Sequence, residues 1–218
     1  MKGQDILILC KLLSLSRMKP GEIHSHTPTA KQRGWDFSNN DRDEIKKRLE
    51  ENESLMGEKE YLDYLFTVRG LAAELSMSKS EVSNCLKRCM NVNLVKIDRI
   101  NKKPSTNKKL FLDFIKVGLR LVFPAKPAEI VRGIPTTFAA PVLESKLLSA
   151  GDLKMVWADP RGTVMGQAVA PLYKSVPEAV KKDADLYASL ALLDAIRLGN
   201  ARESNYAFTL LEEILSYE

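Results

Sequence analysis

Amide, hydroxyl and basic side chains lie close together between residues 78 and 88, at spacings that place them on one side of a helix. The amide of Asn84 can pair its donor and acceptor groups with a base edge, while hydroxyl and basic groups can donate to phosphates. This composition is typical of a helix that contacts DNA. The outward residues on this interpretation are Lys79, Ser80, Ser83, Asn84, Lys87 and Arg88.

Two apolar stripes at helical spacing predict the elements that position this face. They are Leu71, Ala72 and Leu75 in a first helix, then Val82, Leu86 and Cys89 in a second. Ser78 and Glu81 form a Ser-x-x-Glu capping box, and Thr67 has the residue type of an N-cap for the first helix. We therefore predict a helix-turn-helix, with Thr67, Arg69 and Ser78 also contacting DNA. The alternative is an ordinary amphipathic helix hairpin with a solvated basic face.

A basic hairpin is predicted directly after the second helix. Residues 93–100 are β-prone and alternate in polarity, and residues 109–112 form a second short apolar run. The polar, turn-forming segment of residues 101–108 lies between them. Such a hairpin is a wing, and its DNA-contacting residues would be Lys102, Lys103 and Lys108.

Charge placement supports this interpretation. From Lys79 to Lys109, nine basic residues stand against two acidic ones, whereas the whole chain of 218 residues carries a formal net charge of +5. Residues 111–218 hold 12 basic and 13 acidic groups. The excess positive charge is thus concentrated where the motif predicts contact with phosphates.

Residues 71–95 resemble the winged helix-turn-helix of the multiple-antibiotic-resistance regulator (MarR) type. The shared features are Leu-Ala-x-x-Leu in the first helix, a Ser near the turn, Val-Ser in the second helix and a Leu-Val exit into the wing. The chain has Ser76 and Asn93 where Gly is common in that family, and both residue types tolerate turn geometry. Residues 122–125 (VFPA), 132–136 (RGIPT), 156–162 (VWADPRG), 171–173 (PLY) and 197–203 (RLGNARE) resemble landmarks of a largely uncharacterised bacterial group labelled MarR-like.

The remaining pattern predicts a mainly α protein of the α+β class. Residues 3–17 read as a helix so apolar that it must be buried against another element or subunit, residues 20–40 as a loop and residues 41–53 as a solvated helix. A helix over residues 113–122 is followed by a Pro-rich irregular segment and by a hairpin or looped pair of residues 154–157 and 163–169. Helices are expected over residues 176–182, 185–198 and 202–216. The predicted domains are 1–59, 60–112 and 113–218, the last being a helical dimerisation, effector or partner module.

A polar set in the C-terminal half has three interpretations. It consists of Arg132, Asp194, Arg197, Arg202 and Glu203. Paired Arg and carboxylate groups can bind an effector or partner, perform acid-base chemistry, or form a structural salt-bridge network. No phosphate loop, nucleophile elbow, zinc motif or dinucleotide turn is found, so we expect neither an enzyme nor a cofactor.

The three cysteines do not form a disulfide framework. A redox or metal switch would use Cys85 and Cys89, with His24 and His26 as further ligands. Core packing is the favoured interpretation, because Cys behaves as a small buried hydrophobe and no matching ligand pair lies near the histidines. No metal site is therefore expected.

The sequence predicts a cytoplasmic, sequence-specific regulator of transcription that binds double-stranded DNA, with repression as the expected outcome. No segment approaches the ~18 apolar residues that cross a bilayer. A homodimer is expected, formed through the N-terminal helix, the C-terminal helices or both, since their apolar residues exceed what one winged helix can cover. The alternative is a DNA-binding antitoxin or autorepressor of a toxin or phage-defence operon, whose C-terminal half binds a protein.

Overall fold

The computed structural model describes residues 1–19, 27–29, 34–36, 57–144 and 153–216. Within these ranges the chain is mainly helical and has two small sheets. The predicted helix of residues 41–53 lies outside the described residues, as do His24, His26 and most of the predicted loop of residues 20–40.

The first helix, α1 (Gly3–Arg17), has the predicted bounds and lies at the centre of the core. Every residue from Asp5 to Leu15 is buried, because α1 packs against helices from both halves of the chain. The apolar residues that the sequence assigned to a dimer interface are covered within one chain. These are Ile6, Leu9, Leu13, Leu186, Leu190, Leu211 and Leu215. These residues therefore do not need a second subunit to be buried, and the reason given for a dimer interface at these helices is wrong.

The predicted helix pair is present. It follows another short helix, and the three are α2 (Glu58–Leu65), α3 (Val68–Leu75) and α4 (Lys79–Asn91). In the turn between α3 and α4, Ser76 has a positive φ of 51°, and Met77 is buried. Asn93, which follows α4, has a φ of 59°. The two positions where Gly is common in the family that this segment resembles thus adopt the left-handed conformation that Gly favours, and short polar side chains tolerate it.

Strands β1 (Val95–Ile97) and β2 (Pro104–Thr106) form the predicted hairpin, with an antiparallel register. Its second strand was predicted at residues 109–112, which is wrong, because these residues belong to helix α5 (Lys108–Val117). Phe111 and Ile115 are buried one helical turn apart on α5. A short apolar run fits either a strand or a helix face, and here packing against the core selects the helix.

Helix α6 (Leu119–Val122) ends at Phe123, where the sequence predicted a helix to stop. The helical segment nevertheless starts five residues earlier than predicted, since α5 begins at Lys108. Lys108 therefore occupies the first turn of a helix and is not part of the hairpin tip.

The segment predicted as Pro-rich and irregular is a ten-residue strand, β3 (Pro127–Thr136). It pairs antiparallel with both β4 (Met155–Ala158) and β5 (Val164–Val169), and the three strands close into a small barrel. Because β4 and β5 run parallel to each other, they are not a hairpin but a looped pair, which is the other of the two predicted arrangements. Gly162, just before β5, lies very close to Gly133 of β3. A Cβ on Gly162 would overlap the backbone of Gly133, so this approach requires a glycine.

The chain ends in three helices close to the predicted ranges. They are α7 (Val176–Val180), α8 (Ala184–Leu198) and α9 (Ala201–Ser216). Gly199 lies between α8 and α9, and the leucines that face each other between these helices are buried. α8 also packs on α1, so the helix pair and the C-terminal helices share one hydrophobic core. Among the helices described, none combines the length and apolar character that a membrane span requires.

Candidate nucleic-acid interface

Helix α4 begins at the predicted capping box. The hydroxyl oxygen of Ser78 accepts a hydrogen bond from the backbone N–H of Glu81 at 3.2 Å. Val82, Cys85, Leu86 and Cys89 are buried against the core. Four buried positions on one face determine which residues of α4 point outward.

The outward face of α4 carries the polar side chains expected from its sequence. Exposed residues are Ser78, Lys79, Ser80, Asn84 and Lys87, and Ser83 is half-buried among them. This face offers hydroxyl, amide and ammonium groups within about three helical turns. The residues at the start of α3 that were assigned to DNA contact, Thr67 and Arg69, are exposed as well. Thr67 caps that helix, because its hydroxyl oxygen accepts from the N–H of Gly70.

Arg88 departs from the predicted face. Its guanidinium turns toward α1, where one nitrogen lies 2.6 Å from the Asp5 carboxylate and also donates to the Cys85 sulfur at 3.0 Å. Burial acts to raise the pKa of Asp5, but the hydrogen bonds from Arg88 and from the backbone hold that pKa below its ordinary value. The prediction that Arg88 points outward with Lys87 is wrong, because a buried carboxylate needs a cation partner.

The β1–β2 hairpin presents a different set of exposed basic residues from the predicted one. Lys96, Arg99 and Lys102 are exposed. Lys103 instead forms an ion pair with Asp63 and lies 4.8 Å from the centroid of the Phe66 ring. Lys103 thereby holds the hairpin against the end of α2, and Lys108 is half-buried on α5. The exposed basic side chains of the hairpin are therefore Lys96, Arg99 and Lys102.

The turn of this hairpin is held by Asp98. One of its carboxylate oxygens accepts hydrogen bonds from the backbone N–H groups of Ile100 and Asn101, at 2.8 and 2.9 Å. These two bonds lower the pKa of Asp98. The one acidic residue of the hairpin is thus a structural part of its turn, beside the exposed Arg99.

The cysteines have the environment of core residues. Cys10, Cys85 and Cys89 are buried and unbridged. Burial raises the pKa of the Cys85 and Cys89 thiols to about 12, so both remain protonated near neutral pH. Within the ranges that the structure describes, no cluster of His, Cys, Asp and Glu could hold a metal ion.

The C-terminal polar set does not converge on one site. Arg197 is buried and pairs with Asp194 at 2.6 Å, and Asp194 also accepts from the indole of Trp157 at 2.7 Å. Asp194 and Arg197 thus form a buried structural ion pair, which is what one of the three interpretations predicted for these two residues. Arg132 is exposed and donates to the carbonyl of Gly162.

The last two members of that set lie at the start of α9. Glu203 accepts from the backbone N–H of Asn200 and so caps the helix, and Arg202 is exposed. The structure therefore places Arg132, Arg197, Arg202 and Glu203 in separate environments.

The structure also shows links between the two halves that the sequence analysis missed. The Lys11 ammonium of α1 lies 3.0 Å from the Glu74 carboxylate on α3 and 2.8 Å from the Asp183 carboxylate at the start of α8. Lys11 was visible in the sequence as the one charge inside an apolar run. Its two partners lie 63 and 172 residues away, beyond the reach of any local pattern.

A second missed link joins Tyr173 to Glu81. The phenol hydroxyl donates to the Glu81 carboxylate at 2.7 Å, in the first turn of α4. That hydrogen bond is the main cause of a lowered pKa at Glu81. Burial and the same bond raise the pKa of Tyr173 to about 12.

Comparison with known proteins gives no match: no protein-family model, no curated protein and no solved structure is similar to this chain.

Proposed function

We propose that residues 58–106 form a winged helix-turn-helix of the MarR-like kind that binds double-stranded DNA in a sequence-specific way and regulates transcription in the cytoplasm. The observation that carries the proposal is the exposed polar face of α4 together with the exposed basic side chains of the β1–β2 hairpin, whose first strand packs against α4. The opposite face of α4 is anchored in the core of the protein. A rigidly anchored helix with such a face suits insertion into the major groove.

Each group has a distinct role in this proposal. Asn84 and Lys87 contact base edges, since amide and ammonium groups can read adenine and guanine in the major groove. Lys79, Ser80, Thr67 and Arg69 contact phosphates and thereby set the position of α4 on the duplex. The function is binding, with repression as its expected consequence.

Selection of bound fragments from a random duplex pool tests this proposal. We expect enrichment of one motif, bound at least about a thousandfold more tightly than unrelated DNA. Binding measured by anisotropy on the enriched duplex and on a scrambled duplex of equal composition provides the comparison. Equal affinity for both duplexes, or no duplex binding at micromolar protein, would contradict the proposal.

A hairpin variant should separate general from specific binding. Replacing Lys96, Arg99 and Lys102 with Ala is expected to weaken binding to all duplexes alike and to reduce the slope of log K against log salt by about 0.9 for each phosphate that the variant no longer neutralises. The measurement is a salt titration on both duplexes. Lys103→Ala is the matched control, since its ammonium already pairs with Asp63 and its removal should leave the slope unchanged. A change in sequence preference instead of slope would make the hairpin a reader of bases.

A homodimer on an inverted repeat remains part of the proposal. Two-fold symmetry places two reading helices in successive major grooves, with half-sites about 10 base pairs apart or a multiple of that. Because the core leucines are covered within one chain, we assign the interface to exposed apolar residues of α5 and α6. Val117 and Leu121 are 71% and 82% exposed.

Light scattering of the wild type and of V117K/L121K tests this assignment. We expect a dimer for the wild type and a monomer for the variant, with Leu153→Lys, at another exposed apolar position, as the dimeric control. A monomeric wild type on an asymmetric site would contradict the dimer and favour a different protein partner, as in an antitoxin.

A further inference from the structure

The segment before α7, residues 170–175, lies against the start of α4. It is anchored from two sides. A Cβ on Gly3 would overlap the carbonyl oxygen of Leu172, so the first turn of α1 and this segment meet backbone to backbone. On the C-terminal side, the N–H of Val176 closes a turn onto the carbonyl of Tyr173, and Val176 is buried.

This anchoring directs Tyr173 to α4. Its hydroxyl donates to one oxygen of the Glu81 carboxylate at 2.7 Å, while the other oxygen lies 3.4 Å from the Ser78 hydroxyl. Glu81 is the third residue of α4, and its own N–H bonds back to Ser78. The phenol therefore holds the capping box from outside the helix pair, at the turn that precedes the exposed Lys79 and Ser80.

The next residue brings a positive charge to the same place. Lys174 is exposed, its ammonium lies 6.0 Å from the centroid of the Tyr173 ring, and its charge acts on Glu81. A carboxylate at the end of a DNA-reading helix would repel phosphates. The Lys174 ammonium offsets that charge at the edge of the face, and the phenol occupies one of the carboxylate oxygens with its hydrogen bond.

We propose that residues 170–175 form a third part of the DNA interface, in which Tyr173 positions the start of α4 through Glu81 and Lys174 contacts the DNA backbone. This inference rests on the proposed function. It makes the C-terminal half a direct participant in DNA binding, beyond its share of the common core.

Binding of the full chain to its selected duplex tests the role of Tyr173. We expect Tyr173→Phe to weaken binding about three- to tenfold, the range for loss of one ordinary hydrogen bond, with an unchanged salt slope and a thermal midpoint lower by no more than a few degrees. In a Glu81→Ala background the same change should have no further effect, because Tyr173 then has no carboxylate to hold. An equal loss in both backgrounds, wild-type affinity, or a lower thermal midpoint without weaker binding would overturn the role of Tyr173. Tighter binding would overturn it as well, since the segment would then occlude the helix.

Lys174→Gln tests the backbone contact. The salt slope should fall by about 0.9, the value for one phosphate, and Lys154→Gln is the matched control at an exposed lysine just before β4. A slope equal to that of the wild type would overturn this contact. The inference about residues 170–175 fails alone if both Tyr173→Phe and Lys174→Gln behave as the wild type. In that case the wild type still binds selectively and N84A/K87A still loses the selectivity. Absence of selective duplex binding by the wild type is the distinct failure of the proposed function.

Discussion

The double variant N84A/K87A is expected to bind its selected duplex and a scrambled duplex with similar affinity. Both side chains are exposed on α4, about one helical turn from each other, and neither supports the core, so the fold should be retained. Each good base contact contributes about 1–3 kcal/mol of discrimination. Removal of both side chains therefore lowers the preference for the selected duplex by roughly two orders of magnitude or more.

Anisotropy titrations on both duplexes measure this preference, and circular dichroism checks the fold. Asn91→Ala is the matched control, because Asn91 is an exposed residue of the same type at the far end of α4. Its preference should equal that of the wild type. Retained discrimination in N84A/K87A would remove α4 from the reading of bases, even if the protein still binds DNA.

The largest loss of stability is expected from Lys11→Met. This change keeps the length and apolar stem of the side chain and removes the cation between two carboxylates. Asp183 and Glu74 would remain buried without it. Breaking a buried ion pair by removing one partner typically costs about 3–5 kcal/mol. Urea denaturation should show this as a lower midpoint with a similar slope.

Arg17→Met is the matched control on the same helix. The Arg17 guanidinium lies 3.3 Å from Asp185, and both side chains are partly exposed. Such a pair contributes about 0–1 kcal/mol, because water screens it and both side chains lose freedom. A loss in Lys11→Met no larger than that in Arg17→Met would show that the buried cluster does not hold α1, α3 and α8 together.

The pH dependence of stability gives an independent check of this cluster. Burial acts to raise the pKa of Asp183, but the charge and hydrogen bond of Lys11 and the hydroxyl of Ser14 hold it below its ordinary value. A lowered folded-state pKa contributes stability that is present above the unfolded pKa, near 4, and is lost as the pH falls through the folded value. In Lys11→Met burial dominates and the sign reverses, so unfolding free energy should rise as the pH falls toward 4.

Local sequence patterns determined the elements and the exposed face of the candidate site. The bounds of α1 and α8 follow from long apolar runs with clear stop signals, and the start of α4 follows from its capping box. The buried stripe of α4 fixes which side of the helix faces the core. Helical periodicity then places Asn84 and Lys87 on the opposite, exposed side. These features depend on residues within a few positions of each other, so they can be read from the sequence alone.

Tertiary structure decided which partners those elements find. Arg88 turns inward because Asp5, 83 residues away, is buried beside it, and the first turn of α4 is bonded to a tyrosine 92 residues away. The apolar character of α1 predicted that the helix is buried. It could not predict whether the same chain or a second subunit covers it, since the hydrophobic effect depends on the apolar area removed from water and not on which surface covers it. Residues 109–112 and β3 were misassigned because short runs are compatible with either helix or strand until a neighbour pairs or packs with them. Long-range pairing therefore distinguishes the side chains that remain exposed at the candidate interface, such as Lys87, from those that hold the protein together, such as Arg88.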